Sequence, residues 1–416
     1  MGLTSGLFLW LLIVAAAEAI GGTVVVWRRL ASQRVPQIAA RFGLIALSQA
    51  LVIAVMLVYL NDSLVFFGSW SDLLGTGTPQ QVFTPSSAPA GQLAGQPITI
   101  TGSSVGTMYG GGPALPRTGS QLAAWLSSSG PGEYPRSSGI GAAATKGAVI
   151  RINILGQYTG IEADSDYVYL PPQYFQPAYA KARFPVILAF TGYPNDTINL
   201  MKLLQLPAIA ARLTAAGRIT PTVYVLANPS VALPRDTECT NIPAGLQVAT
   251  FFGRDLPSAI ERTFRVRAGR SGWAVIGYST GAYCAAKLAM LYPDQYSAAV
   301  GMSGYYVALR DRTTGNLYGG SQGYRNENDL DWRLRHLPAP PISVLVASSA
   351  SGEKNLPGTI AFLHLIHPPM RGYKLILPHG GHNYYTWRRE LPQSLEWLSR
   401  RLTPALAPLT TPAGQR

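Results

Sequence analysis

The chain has 416 residues, 47% of them apolar and only 13% charged, with a net charge of +13. That is more chain than one small core needs, and too apolar for disorder along its whole length. Its basic residues are scattered, with no zinc finger, RNP-like stretch or basic helix, which argues against nucleic-acid binding.

Residues 7–27 and 42–60 are two nearly uncharged apolar runs of about 20 residues, the length of helix that crosses a bilayer. Between them lie Arg28, Arg29, Arg34 and Arg41 with no acid, and short arginine-rich loops stay cytoplasmic. The expectation is a multi-pass anchor over 1–70 with everything after residue 60 on the extracytoplasmic side of the cell membrane. A cleaved signal peptide is the rival, with Ala17-Glu18-Ala19 as its cleavage site, and it would alter that orientation. Glu18, an acid inside the first run, has no partner that the sequence can name. The positive charge reads either as attraction to anionic lipid or an acidic envelope, or as ordinary solubility and topology charge.

Residues 71–145 are rich in Gly, Ser, Thr, Pro and Gln and read as a flexible linker, with short apolar pieces near Ile98–Ile100 and Leu122–Leu126 that can dock. From 146 to 402 the pattern becomes that of a folded domain, and 403–416 reads as a loose tail. Strands are expected at Ala148–Leu155, Asp166–Leu170, Phe184–Phe190, Thr222–Ala227, Gly272–Ile276, Ala298–Met302, Ile342–Ala347 and Tyr373–Leu377. Helices are expected at Asn199–Ala216, Phe251–Phe264, Thr280–Leu291, Gly358–His364 and Leu391–Leu402. Apolar strands alternating with amphipathic helices predict an α/β domain, a mostly parallel sheet covered on both faces.

Gly277-Tyr278-Ser279-Thr280-Gly281 fits G-x-S-x-G and falls between a strand and a helix. A sharp turn there exposes a serine hydroxyl at a helix N-terminus, and only small neighbours fit beside it. Ser279 is therefore the candidate nucleophile; the plainer reading is a serine capping its helix. All five histidines follow Ser279, in keeping with the order nucleophile, acid, base. His379 and His382 lie after the last strand, and Gly380-Gly381 before His382 favours it as the base over His379. His364 and His367 fall in or beside a helix and read as structural. Glu353 is the only carboxylate between Trp332 and His382, which makes it the candidate acid, with Asp329 and Asp331 as fallback; a surface glutamate paired with Lys354 is the alternative.

The oxyanion donors are expected at the backbone of Thr280 and in the turn after Phe190, at Tyr193. Gly192, Tyr278 and Tyr305 are candidate substrate-binding residues, and Tyr305 and Tyr306 equally fit a core role. The polar loop 228–239 carries Arg235, Asp236 and Glu238, which either close the loop by ion pairs or meet substrate. Two cysteines, Cys239 and Cys284, make neither a zinc site nor a disulfide framework; outside the cytoplasm they can form a single bridge.

Three segments carry a resemblance: 272–306 around the serine, 187–196 at the oxyanion turn, and 380–398 with a tryptophan shortly after His382. Over about 148–402 the chain resembles the bacterial esterase family of esterase D, the enterochelin-esterase-like enzymes and the antigen 85 mycolyltransferases. The resemblance implies an α/β-hydrolase fold, a triad of Ser279, His382 and Glu353, and no metal or cofactor. It departs from the family at Thr191, where many relatives carry an acid or a histidine. It departs again at Tyr278 and Thr280, which flank the serine where the mycolyltransferases usually have Leu and Met. The expected activity is hydrolysis of carboxylic esters through an acyl-serine. Acyl transfer to an envelope lipid or sugar is the alternative, and a membrane-anchored binding protein with a dead fold is a third. The expected partners are an ester or acyl-lipid substrate and the membrane.

Overall fold

The computed structural model describes residues 6–30, 34–64, 98–99 and 147–405. Most of the expected tail, from residue 406 onward, and most of the expected linker, Leu122–Leu126 included, lie outside the described residues. The chain divides into two units, one holding a helical pair together with His382–Tyr384 and the other holding a sheet domain.

In the first unit α1 runs over Gly6–Val26 and α2 over Val35–Leu64. Apolar side chains such as Leu7, Trp10, Val24, Phe42 and Met56 point outward from both. Stretches of 21 and 27 residues are long and apolar enough to cross a membrane, about 30 and 40 Å at 1.5 Å per residue. One polar contact lies between the pair: Thr23 Oγ1 and Ser48 Oγ are 3.3 Å apart, and either can donate to the other while the second donates to a carbonyl of its own helix. Arg41, expected in the connecting loop, lies inside α2, with its guanidinium 4.9 Å from the centre of the Trp27 ring.

The second unit is built on one nine-stranded sheet. Its strands are β1 Ile98–Thr99, β2 Ala148–Leu155, β3 Glu162–Leu170, β4 Val186–Phe190, β5 Val223–Ala227, β6 Trp273–Tyr278, β7 Ala298–Met302, β8 Ser343–Ser351 and β9 Arg371–His379. Their spatial order is β1-β2-β3-β5-β4-β6-β7-β8-β9. The first three pairings are antiparallel and the rest parallel. β1 comes from inside the expected linker, where Ile98 pairs with Ile154, so that segment contributes an edge strand.

Burial follows the pairing. In β2 the residues Ile150, Ile152 and Ile154 are buried while Arg151 is not, the alternation of a sheet covered on one face. The central parallel strands β4, β5, β6 and β7 are buried at every position. β9 closes the parallel side as an exposed edge carrying Arg371 and Lys374, charges that discourage pairing with another chain.

The expected helix Asn199–Ala216 splits into α3 Asn199–Lys202 and α4 Leu206–Ala215. Gln205 takes a left-handed conformation at φ 59°, and Pro207 lies in the first turn of α4, where its missing N–H costs no helix hydrogen bond. α5 Val248–Thr250 and α6 Leu256–Thr263 are joined by a π turn at Phe251–Asp255. α7 is Thr280–Leu291. α8 Gln322–Asn328 and α9 Leu330–His336 were not expected; Ser321 and Asp329 cap them, accepting from the N–H groups of Tyr324 and Trp332. α10 is Leu356–Leu365. α11 covers Tyr384–Ser399 and starts seven residues before the expected Leu391, because Pro392 lies inside it instead of opening it.

Candidate active site

Ser279 joins β6 to α7 with φ 57° and ψ −123°, a conformation that a residue with a Cβ adopts only when its surroundings impose it. Its N–H donates to Met302 O at 3.0 Å and its carbonyl accepts from Ala282 N–H at 2.9 Å, so both flanks are fixed. The two glycines of the motif are required by space. A Cβ on Gly277 would fall 2.2 Å from Gly281 O, and one on Gly281 would fall 2.3 Å from Thr191 O. A Cβ on Gly192 would fall 2.8 Å from Ser279 Cβ. The turn after β4 is thus pressed directly against the serine. Thr280 is the first residue of α7, where N–H groups lack partners within the helix. β4 lies between β5 and β6, so the chain reverses its winding direction here, the place where open parallel sheets bind ligands.

Two strands further along, Glu353 follows β8. Its Oε2 accepts from Ser348 Oγ at 2.9 Å and from Ser349 N–H at 3.0 Å, and its Oε1 accepts from Ser303 Oγ. Ser303 has φ 51°, a second strained residue at a strand end. Its hydroxyl accepts in turn from Trp387 Nε1 at 2.8 Å. A chain of donors therefore runs from the α11 indole through Ser303 to the carboxylate. Sequence reading missed Ser303, Ser348 and Ser349. The available signal was their place at the carboxyl ends of β7 and β8.

The histidines fall in distinct places. His379 ends β9, with Nδ1 2.7 Å from Ser351 Oγ and its carbonyl accepting from Arg389. His382 follows three residues later, between β9 and α11. His364 lies in α10, with His367 just beyond it. Asp329 caps α9 and also accepts from Ala308 N–H at 3.1 Å, so it is committed to local structure. Burial pushes the Asp331 carboxyl up to about 6, with Asp329 adding to the effect.

Two of the expected substrate contacts have protein partners in the structure. Tyr278 is fully buried, its ring stacked on Trp387 at 4.1 Å, so the side chain packs the core beneath the serine. Tyr305 stacks on Tyr283 at 5.2 Å and its hydroxyl donates to Glu238 Oε1 at 2.7 Å, which commits it to the loop after β5. Tyr306 is buried against Phe362. The loop itself is held by hydrogen bonds in place of ion pairs. Arg235 Nε donates to Thr314 O, while Asp236 and Glu238 are buried among hydroxyl and amide donors. Burial raises both carboxyls above their usual range and lowers the buried Lys287 amine. Cys239 and Cys284 form a disulfide between this loop and α7.

Comparison with known proteins gives this scaffold its kin. Over 268 residues the chain is 22% identical to an uncharacterized protein of Corynebacterium glutamicum, covering 61% of this chain and 62% of that one. The match thus spans about three-fifths of that relative's length. The fold is similar to that of a ferulic acid esterase, with a TM-score of 0.53 at 18% identity, covering 62% of this chain and 98% of the esterase. It is similar also to an S-formylglutathione hydrolase of Agrobacterium tumefaciens, with a TM-score of 0.52 at 16% identity, covering 62% and 96%. The Esterase family model matches residues 165–398, more than half of the chain, and the matched segment includes the strained serine, Glu353 and Trp387. The chain belongs to the Esterase family and carries its domain on an α/β-hydrolase fold.

Proposed function

We propose that the chain is a membrane-anchored serine esterase that cleaves carboxylic esters outside the cytoplasm through Ser279, His382 and Glu353. One observation carries this reading: a strained serine at a strand-to-helix elbow with a second backbone turn against its Cβ. Such a serine presents its Oγ to a carbonyl carbon, and N–H groups of the two turns face the oxygen that becomes negative.

In the reaction Ser279 Oγ bonds to the ester carbon while its proton passes to His382. The tetrahedral oxyanion is held by the N–H groups of Thr280 and Tyr193. It collapses, the alkoxide leaves with the proton from His382, and an acyl-serine remains. Water, deprotonated by His382, then attacks that ester, and the acid is released as the proton on His382 returns to Ser279 Oγ. Glu353 holds the far side of the imidazole and stabilises its charged form. The three donors on Glu353 support this role by fixing the carboxylate in place.

The location outside the cytoplasm is supported by two features. The disulfide is at home in an oxidising compartment. The segment between α1 and α2 carries Arg28, Arg29 and Arg34, which favours keeping it cytoplasmic. Transfer to an alcohol acceptor would use the same acyl-serine, and a lipid acceptor would suit a membrane anchor. A panel of p-nitrophenyl esters, with and without an acceptor alcohol, tests the reading on wild type, Ser279→Ala and His382→Ala. Turnover by wild type alone supports it, and the ratio of ester product to acid product separates transfer from hydrolysis. Equal turnover by all three proteins overturns it.

A further inference from the structure

Residues 228–240, the loop after β5, touch both turns assigned to the oxyanion hole. Toward the turn after β4, Asn228 Nδ2 donates to Asn195 O at 2.8 Å, and the Tyr193 hydroxyl donates to Pro234 O. Toward α7 the loop is fastened three times. Thr280 Oγ1 donates to Asp236 Oδ2 at 3.0 Å, Cys239 is bonded to Cys284, and Lys287 Nζ donates to Glu238 O at 3.0 Å. Positions 280, 284 and 287 are spaced four and three apart, so the three anchors share one face of the helix that begins at the serine. Asp236 is the hub of the loop. Its Oδ1 accepts from Ser230 Oγ at 2.9 Å and from Glu238 N–H at 3.1 Å, and it is only 3% exposed.

Burying two carboxyls and an amine is costly, and apolar packing alone would hold a surface loop. What these groups add is direction, since a hydrogen bond fixes the place of its partner where an apolar contact allows it to slide. We propose that segment 228–240 is a brace that sets the spacing between the two oxyanion donors, and that Asp236 is a positioning residue acting through Thr280. The inference rests on the acyl-serine reading above. Oxyanion donors act at about 2.7–3.1 Å, and an error of about 1 Å in the reacting geometry costs about 100-fold in rate. With the Thr280 hydroxyl committed to Asp236, the first turn of α7 stays aimed at the carbonyl oxygen.

The test uses the full chain in detergent, with p-nitrophenyl acetate turnover and fluorophosphonate labelling measured on the same samples. Asp236→Ala and Thr280→Val should each lower kcat by about 10- to 100-fold while KM stays within about twofold. The double variant should be no slower than the slower single, because both singles already remove the hydrogen bond between Thr280 and Asp236. Thr280→Ser, which keeps the hydroxyl, should restore kcat to within about threefold of wild type. Should Asp236→Ala fail to fold, Thr280→Val and Tyr193→Phe, which cuts the other end of the brace, carry the same expectation. Variants that match wild type in kcat, or losses that simply add, overturn the brace while a labelled wild type leaves the esterase reading standing. A wild type that takes no label and turns over no ester removes both.

Discussion

Glu390 is a fully buried acid on α11, and among the described residues neither of its oxygens has a hydrogen-bond partner. Burial raises its carboxyl to about 9, and the neighbouring Glu353 pushes in the same direction. The unfolded chain releases this proton near the ordinary value of 4.5, whereas the folded chain keeps it until about 9. Stability from this group is therefore complete below pH 4.5 and is lost as pH rises through 9. The slope is about 1.4 kcal/mol per pH unit, so about 3 kcal/mol has gone by pH 7 and about 5 kcal/mol by pH 8. Glu390→Gln keeps the shape and removes the titration. At pH 5, where only about 0.7 kcal/mol has gone, the two proteins should melt within about 3 °C of each other. At pH 8 the glutamine variant should be more stable by at least about 2 kcal/mol, or about 4–8 °C in Tm for a domain of this size. Other titrating groups are common to both proteins and cancel in the comparison. Thermal melts of the full chain in detergent from pH 5 to 9 provide the assay. Parallel curves for wild type and Glu390→Gln across that range would refute the reasoning.

Three further outcomes are expected. Gly281→Ala places a Cβ 2.3 Å from a backbone oxygen and 2.8 Å from Phe190 Cβ, so it should destabilise by about 3 kcal/mol or more, read as lost Tm and lost soluble yield. Trp387→Phe removes the donor to Ser303 and should lower kcat by about tenfold through Glu353, with little change in KM, checked by steady-state kinetics. Cys239→Ser with Cys284→Ser opens a loop of 45 residues and should cost about 4 kcal/mol, checked by urea unfolding with and without reductant.

Much of the sheet was legible because its pattern is written locally. All-apolar runs such as Val186–Phe190 and Val223–Ala227 are too short for a buried helix and suit strands buried on both faces. The serine elbow was legible in part for the same reason, since Gly277 answers a steric demand from Gly281 inside five residues, whereas the demand on Gly281 comes from the distant Thr191 and Phe190. What escaped was set by contacts between distant segments. Ser303 earns its place only by lying between Trp387 and Glu353, 84 and 50 residues away. Asp236 and Glu238 look like a polar surface loop until α7 and Tyr305 close over them. Tyr278 stands beside the nucleophile in the chain, but the alternation of β6 turns it into the core under Trp387. The split at Gln205 and the length of α11 escaped for a different cause: proline can open a helix or lie within one, and neighbouring residues alone do not decide between them.

The central claim is that Ser279 is an activated nucleophile, and a fluorophosphonate probe tests it most directly. Incubated with the full chain and mapped by mass spectrometry, the probe should add one phosphonyl group, on the peptide containing Ser279. Labelling should vanish in Ser279→Ala. An unlabelled wild type, or a label that persists at full strength in Ser279→Ala, would contradict the account.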